Sequence, residues 1–134
     1  MAELGLWAEY SDLSRIRRFV IQVGEDLGMP ERDLYELELA VDEACTNVIE
    51  HSYQGVGGKL EIEIQPLNSG VQVVIRDWGK PFDPESIPAP DVMAPLEERP
   101  MGGVGLFLMR KVMNQVYFAF DPQRGNTLTM TKYW

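Results

Sequence analysis

The stretch LELAVDEACTNVIEHSY, residues 37–53, decides how the rest of the chain must be arranged. Leu37, Ala40, Val41, Ala44 and Val48 recur at intervals of three and four, the period of an α-helix with one buried stripe. Such a helix needs an apolar surface to cover it. Glu43 and Asn47 are four residues apart, so they stand one above the other on the flank of the stripe, where the helix leaves the core and borders a cleft. A carboxylate and an amide so placed either share a ligand or merely solvate the helix edge, and the helix alone leaves both open. The segment also holds the single cysteine, Cys45, and the single histidine, His51. Cys45 reads as a packing residue, because a nucleophilic thiol needs a base that this helix does not supply.

Upstream, Leu4 and Leu6 alternate with Glu3, Gly5 and Trp7, which predicts a short strand. Ser11 or Asp12 can cap a helix reaching about Leu27, with Leu13, Ile16, Val20, Val23 and Leu27 on its apolar face and Gly28 just past its end. Pro30 suits the first turn of the central helix. Arg15, Arg17 and Arg18 on the first helix read as a solvated face. Downstream, Gly55, Gly57 and Gly58 break the chain, and strands at 59–67 and 71–77 come next, joined through Asn68-Ser69-Gly70. The segment that begins at Asp77, DWGKPFDPESIPAPDVMAPLEERP, carries too many prolines for a regular helix or a central strand. A loop of that length in a compact domain points to function or disorder. Helical spacing returns from Gly105 in LFLMRKVM, and VYFAFD and NTLTMTKYW read as a second hairpin. Short connections force antiparallel pairing. The expected fold is an α+β two-layer sandwich, a mixed, mostly antiparallel sheet with helices on one face.

At 134 residues there is room for one domain, expected over 1–134. A net charge of -9 argues against a direct grip on nucleic acid or an anionic membrane, since both require clustered Lys and Arg. Protein or small-molecule partners are expected instead. The lone cysteine cannot form an internal disulfide, no apolar run approaches membrane-spanning length, and the first residues lack a basic-then-apolar leader; a soluble cytoplasmic protein is expected.

Three further segments have chemical potential. Gly102-Gly103-Val104-Gly105 stands just before a helix, where free backbone N–H groups and the helix dipole favour an anion, although a glycine hinge would look the same. Asp77-Trp78-Gly79 at a strand end can accept a hydrogen bond from an exocyclic amine while the glycine admits a flat base, or can be an ordinary turn. Gly125-Asn126-Thr127 is a hairpin turn in which Thr127 can donate to a carboxylate.

Taken in order, Glu43-Ala-Cys-Thr-Asn47, Asp77-Trp-Gly79-Lys-Pro81-Phe82-Asp83-Pro84, Gly103-Val-Gly105-Leu106 and Gly125-Asn-Thr127 resemble the N, G1, G2 and G3 boxes of the gyrase and histidine-kinase type of ATP-binding domain, the Bergerat fold. Within it the chain is most similar to the anti-sigma-factor serine kinases. The resemblance implies ATP and Mg²⁺ as cofactors. It makes Asn47 the metal ligand, Asp77 the acceptor of the adenine amino group with Gly79 beside the base, and Gly103 and Gly105 a phosphate cradle. It also implies that Thr127 supports the adenine site, that 83–99 form a lid and that Arg99 lies near the terminal phosphate. Glu43 would be the base that deprotonates the serine of a protein substrate. His51 would be structural, because a histidine-kinase phosphoacceptor belongs to a separate helical module. Asn114-Gln115 departs from the Asp-Glu that relatives often carry there, at a place suited to partner contacts.

The implied function is an anti-sigma factor and serine/threonine protein kinase that phosphorylates an anti-sigma-factor antagonist, with a sigma factor as second partner and homodimerisation left open. The alternative is a non-catalytic ATP-dependent binding module. Glu43 favours the kinase, because adenine binding and phosphate cradling do not require that carboxylate.

Overall fold

The computed structural model describes residues 1–81 and 103–134. Its strands are β1 (Ala2–Ala8), β2 (Gly58–Leu67), β3 (Gly70–Asp77), β4 (Gln115–Asp121) and β5 (Gly125–Tyr133). Its α-helices are α1 (Leu13–Asp26), α2 (Glu31–Asn47) and α3 (Gly103–Val112). The strands form one sheet in the order β1-β2-β3-β5-β4, and each of the four pairings is antiparallel, so the mixed sheet allowed by the sequence is a fully antiparallel one among the described residues.

Period-two alternation explains which side of the sheet is covered. Leu60, Ile62 and Ile64 of β2, Val71, Val73 and Ile75 of β3, and Leu128 and Met130 of β5 are all buried. Ile16 and Val20 of α1, Leu37, Ala40, Val41 and Ala44 of α2, and Leu106 and Met109 of α3 join them in one core. The stripe read from residues 37–48 is therefore the face that α2 lays on the sheet. Its Cys45 is fully buried, and that burial pushes the thiol far above its ordinary pKa, as suits a packing residue.

Local differences from the sequence reading have physical causes. The central helix starts at Glu31 after Pro30, but α-helical bonding stops at Asn47. Residues Val48–Ser52 form a π-helical turn, closed by Tyr53 N–H donating to the Val48 carbonyl at 3.0 Å. Before α1, Tyr10–Asp12 make a 3₁₀ turn, and the Asp12 carboxylate accepts the Glu9 N–H at 2.9 Å instead of capping α1. Arg15 and Arg18 are exposed as expected, whereas Arg17 reaches across to Asp42 of α2 at 3.3 Å. Arg99 and the expected lid, 83–99, lie outside the described residues.

A buried lysine organises the end of the fold opposite the π turn. Lys132 of β5 is 4% exposed; it donates to Glu36 of α2 at 2.6 Å and to the Val112 carbonyl of α3 at 2.8 Å, with Asp33 at 3.8 Å. Val112 closes α3, so its carbonyl is one of those an α-helix leaves unpaired. One ammonium thus joins both helices to the sheet. Nothing in the residue pattern singled it out.

Candidate functional site

The register of β3 on β5 places Asn126 directly opposite Asp77, at the end of both strands. Both residues are buried, at 7% and 4% exposure. Their pairing is direct: the Asn126 amide donates to Asp77 Oδ1 at 2.8 Å and to the Gly79 carbonyl at 3.1 Å. Gly79 N–H donates to the same Oδ1 at 3.0 Å. Burial pushes the Asp77 carboxyl above the usual range, opposed by the hydrogen bonds from Asn126, Gly79 and the Ser52 side chain. A desolvated carboxylate with one oxygen engaged by two donors still has acceptor capacity on the other.

Asp77, Asn47 and Thr127, three of the residues named from sequence, line one cavity together with Ala44, Val48, Ser52, Met109 and Phe118. Its volume is about 20 Å³, room for a single water. A larger hollow of about 380 Å³ adjoins it, lined by Trp78, Gly79, Pro81, Phe120, Gly125 and Asn126. Phe120 and Asn126 border both.

Gly79 has no room for a side chain, since a Cβ there would collide with the Ser52 carbonyl. The glycine is needed for close approach of the chain after β3 to the end of the π turn. Gly105 shows the same at the other side of the site: a Cβ there would lie 2.6 Å from Glu43 Oε2. The first turn of α3 therefore rests on the Glu43 carboxylate. Glu43 is half-buried, and its pKa is raised by that burial first and by the neighbouring Asp42 charge second. Gly103 is the first residue of α3, and the N–H groups of such a first turn have no partners within the helix.

The structure thus brings Asn47, Asp77 and Thr127 around the small cavity, places Gly79 on the adjoining hollow and sets Glu43 against Gly105, while Arg99 falls outside the described residues. Among the described residues no group of three or more His, Cys, Asp or Glu could hold a metal. Glu43 and Asn47, one turn apart on α2, offer side-chain oxygens, the donor type that suits Mg²⁺, an ion that keeps its waters and takes phosphate oxygens in preference to an all-protein cage. Two residues of the site were missed from sequence. Asn126, the neighbour of Thr127, is the donor to Asp77, and its signal was its place one residue beyond Gly125 in the same turn. Ser52 had no signal, because only the π turn aims it at Asp77.

A five-stranded antiparallel sheet with helices on one face, carrying these segments in this order, defines a class of nucleotide-handling domain. The chain belongs to the histidine kinase-like ATPase domain family, which it matches over residues 6–132. It is 29% identical over 130 residues to the serine-protein kinase RsbW of Bacillus cereus (strain AH820), covering 94% of this chain and 79% of that one. RsbW of Bacillus anthracis (strain A0248) matches to the same extent. Among solved structures, the RsbU and RsbW domains of Rv1364c from Mycobacterium tuberculosis superpose with a TM-score of 0.70 at 15% identity. The match spans 99% of this chain and 32% of that one. The catalytic domain of histidine kinase ThkA superposes with a TM-score of 0.52 at 16% identity, over 99% and 96% of the two chains. Both share the fold. Among the described residues no helix is long and apolar enough to cross a membrane.

Proposed function

We propose that residues 1–134 form one ATP-binding domain acting as a cytoplasmic serine/threonine protein kinase and anti-sigma factor. Its substrate is the serine of an anti-sigma-factor antagonist and its second partner a sigma factor. The observation that carries this reading is the convergence of Asp77, Asn47 and Thr127 on one small cavity with Glu43 beside the start of α3. The likeness to RsbW serine-protein kinases supports it. A net charge of -9 favours protein partners over nucleic acid.

In this reading Asp77 accepts a hydrogen bond from the adenine amino group, Gly79 lets the base lie against the backbone, and Thr127 borders the base. The N–H groups of Gly103 and Gly105 hold phosphate oxygens at the positive end of α3. Asn47 holds Mg²⁺, which when bound neutralises charge on the phosphates. Arg99 near the terminal phosphate rests on sequence position alone. The substrate serine oxygen bonds to the γ-phosphorus as the bond from that phosphorus to the ADP oxygen breaks, and Glu43 takes the serine proton. The raised pKa of Glu43, caused first by its burial, strengthens it as a base.

Calorimetry tests the nucleotide half. Wild-type protein is expected to bind ATP in a Mg²⁺-dependent manner, and Asn47→Ala to weaken that binding by about tenfold, the loss of one charge-assisted contact. No heat of binding at millimolar Mg-ATP would end the proposal.

Gly105→Ala separates fold from chemistry. Alanine is the better helix former by about 1 kcal/mol, so thermal stability should hold or rise. The new methyl should push the Glu43 carboxylate aside and slow phosphoryl transfer at least tenfold, roughly the cost of a misplaced catalytic group. Unchanged transfer in a stable Gly105→Ala protein would show that the Glu43 position is not set by α3.

A further inference from the structure

The chain after Asp77 has left the sheet: its last ladder partners are Leu60 on one side and Asn126 on the other. Trp78, Gly79 and Lys80 nevertheless have their N–H groups satisfied. Gly79 uses Asp77 itself, but the other two are held by the π turn and the residue next to it. Trp78 N–H donates to the Tyr53 phenol oxygen at 2.9 Å, and Lys80 N–H donates to the Ser52 carbonyl at 2.8 Å. The Tyr53 hydroxyl in turn donates to the Lys59 carbonyl of β2 at 2.5 Å, and the Ser52 side chain bonds Asp77. Lys59 returns to the same segment, its ammonium 4.8 Å above the Trp78 ring.

This grip exists because α2 ends in a π turn. A π turn carries one extra residue, which rotates the succeeding side chains by about 100° relative to a continued α-helix and re-aims residues 52 and 53. Left-handed backbone at Gln54, φ 54°, and Gly55, φ 82°, then reverses the chain. The Tyr53 ring settles over Gly58, where any Cβ would collide with it.

We propose that Tyr53, with Ser52, is a positioning residue for base recognition: the π turn clasps residues 77–80 and holds the Asp77 carboxylate and the Gly79 backbone where they discriminate adenine from guanine. This rests on the nucleotide reading above. The clasp also connects two halves of the site, since α2 carries Glu43 and Asn47 at one end of its last turns and grips the base-side segment at the other. Tyr53 does not line the cavity; it acts through the Trp78 amide.

Tyr53→Phe tests this, because the ring that covers Gly58 stays and only the two hydrogen bonds go. Binding of Mg-ATP and Mg-GTP by calorimetry and hydrogen exchange at the Trp78 amide are the readouts, with Ser52→Ala as a second variant that keeps the carbonyl to Lys80. The expected result for Tyr53→Phe is exchange at Trp78 at least tenfold faster and an ATP-over-GTP preference reduced at least fivefold, the scale expected when a recognition group shifts by a fraction of an ångström. Ser52→Ala should lower the preference with Trp78 exchange unchanged. Faster exchange with an intact preference would reduce Tyr53 to a structural role and overturn the proposal, as would unchanged exchange. Wild-type protein is measured first: if it does not bind Mg-ATP, the nucleotide reading itself is lost, whereas failure in the variants with wild-type binding intact belongs to the clasp alone.

Discussion

Glu43→Gln is expected to retain Mg-ATP binding within about twofold while transfer of phosphate to a protein substrate falls about 10²–10⁴-fold, the usual effect of removing a positioned general base. The substitution keeps shape and removes only the ability to accept a proton. Glu43 is half-buried against Gly105 without an ion pair to a cation in the described residues, so fold stability should change by no more than roughly 0.5 kcal/mol. The pH dependence gives a second readout. Because burial and Asp42 raise the Glu43 pKa, the acid limb of wild-type kcat/KM should lie above the ordinary glutamate range, with activity rising as pH climbs through it; the variant should lack that limb. The assay uses labelled ATP and proteins recovered with this chain from its native cell. If wild type labels none of them while ATP still alters which are recovered, the protein is a nucleotide-controlled binding module and not a kinase. Full transfer by Glu43→Gln would leave the kinase in place and remove Glu43 as its base.

Lys132→Met should lower stability by about 3 kcal/mol, since removing one partner of a buried ion pair leaves the other charge without compensation. For a domain of this size that corresponds to a melting temperature lower by roughly 10 °C. The lower end of the usual range applies because Glu36 and Asp33 keep some access to water, at 21% and 24% side-chain exposure. Glu36 supplies the pH signature. Its pKa is lowered chiefly by the hydrogen bond from Lys132, against the opposing effect of burial. A folded-state pKa below the unfolded value means that this stabilisation is complete above the unfolded pKa and is lost as pH falls through the folded one. Wild-type stability should therefore drop on acidification below the ordinary glutamate range, and the Lys132→Met curve should be flatter there. Thermal unfolding from pH 3 to 7 measures both; a loss below about 0.5 kcal/mol would show that the buried lysine contributes nothing beyond a surface pair.

The two effects are coupled through α3. Lys132 anchors the last turn of that helix while the first turn rests on Glu43, so Lys132→Met is also expected to loosen the contact at Gly105. Partial loss of transfer in the folded variant would fit that coupling.

Much of this arrangement followed from residue order alone. The stripe at Leu37, Ala40, Val41, Ala44 and Val48, the alternation of β2, β3 and β5, and the glycines and prolines between them determined the elements, because helical and extended backbones expose side chains with different periods. Short connections then required antiparallel neighbours for β2 with β3 and for β4 with β5. The box-like segments named Glu43, Asn47, Asp77, Gly79, Gly105 and Thr127 before any of them had a place in space. Tertiary structure decided what no local pattern encodes. The insertion of β5 between β3 and β4 is a choice of non-local pairing, and it alone sets Asn126 against Asp77. Lys132 reads as one more charged residue near a strand end until β5 turns it inward between α2 and α3, where its charge must be paired because water cannot reach it. The π turn is the clearest case: Val48–Ser52 has the composition of a continuing helix, and only the need to seat Ser52 and Tyr53 on the chain leaving β3 gives its extra residue a reason.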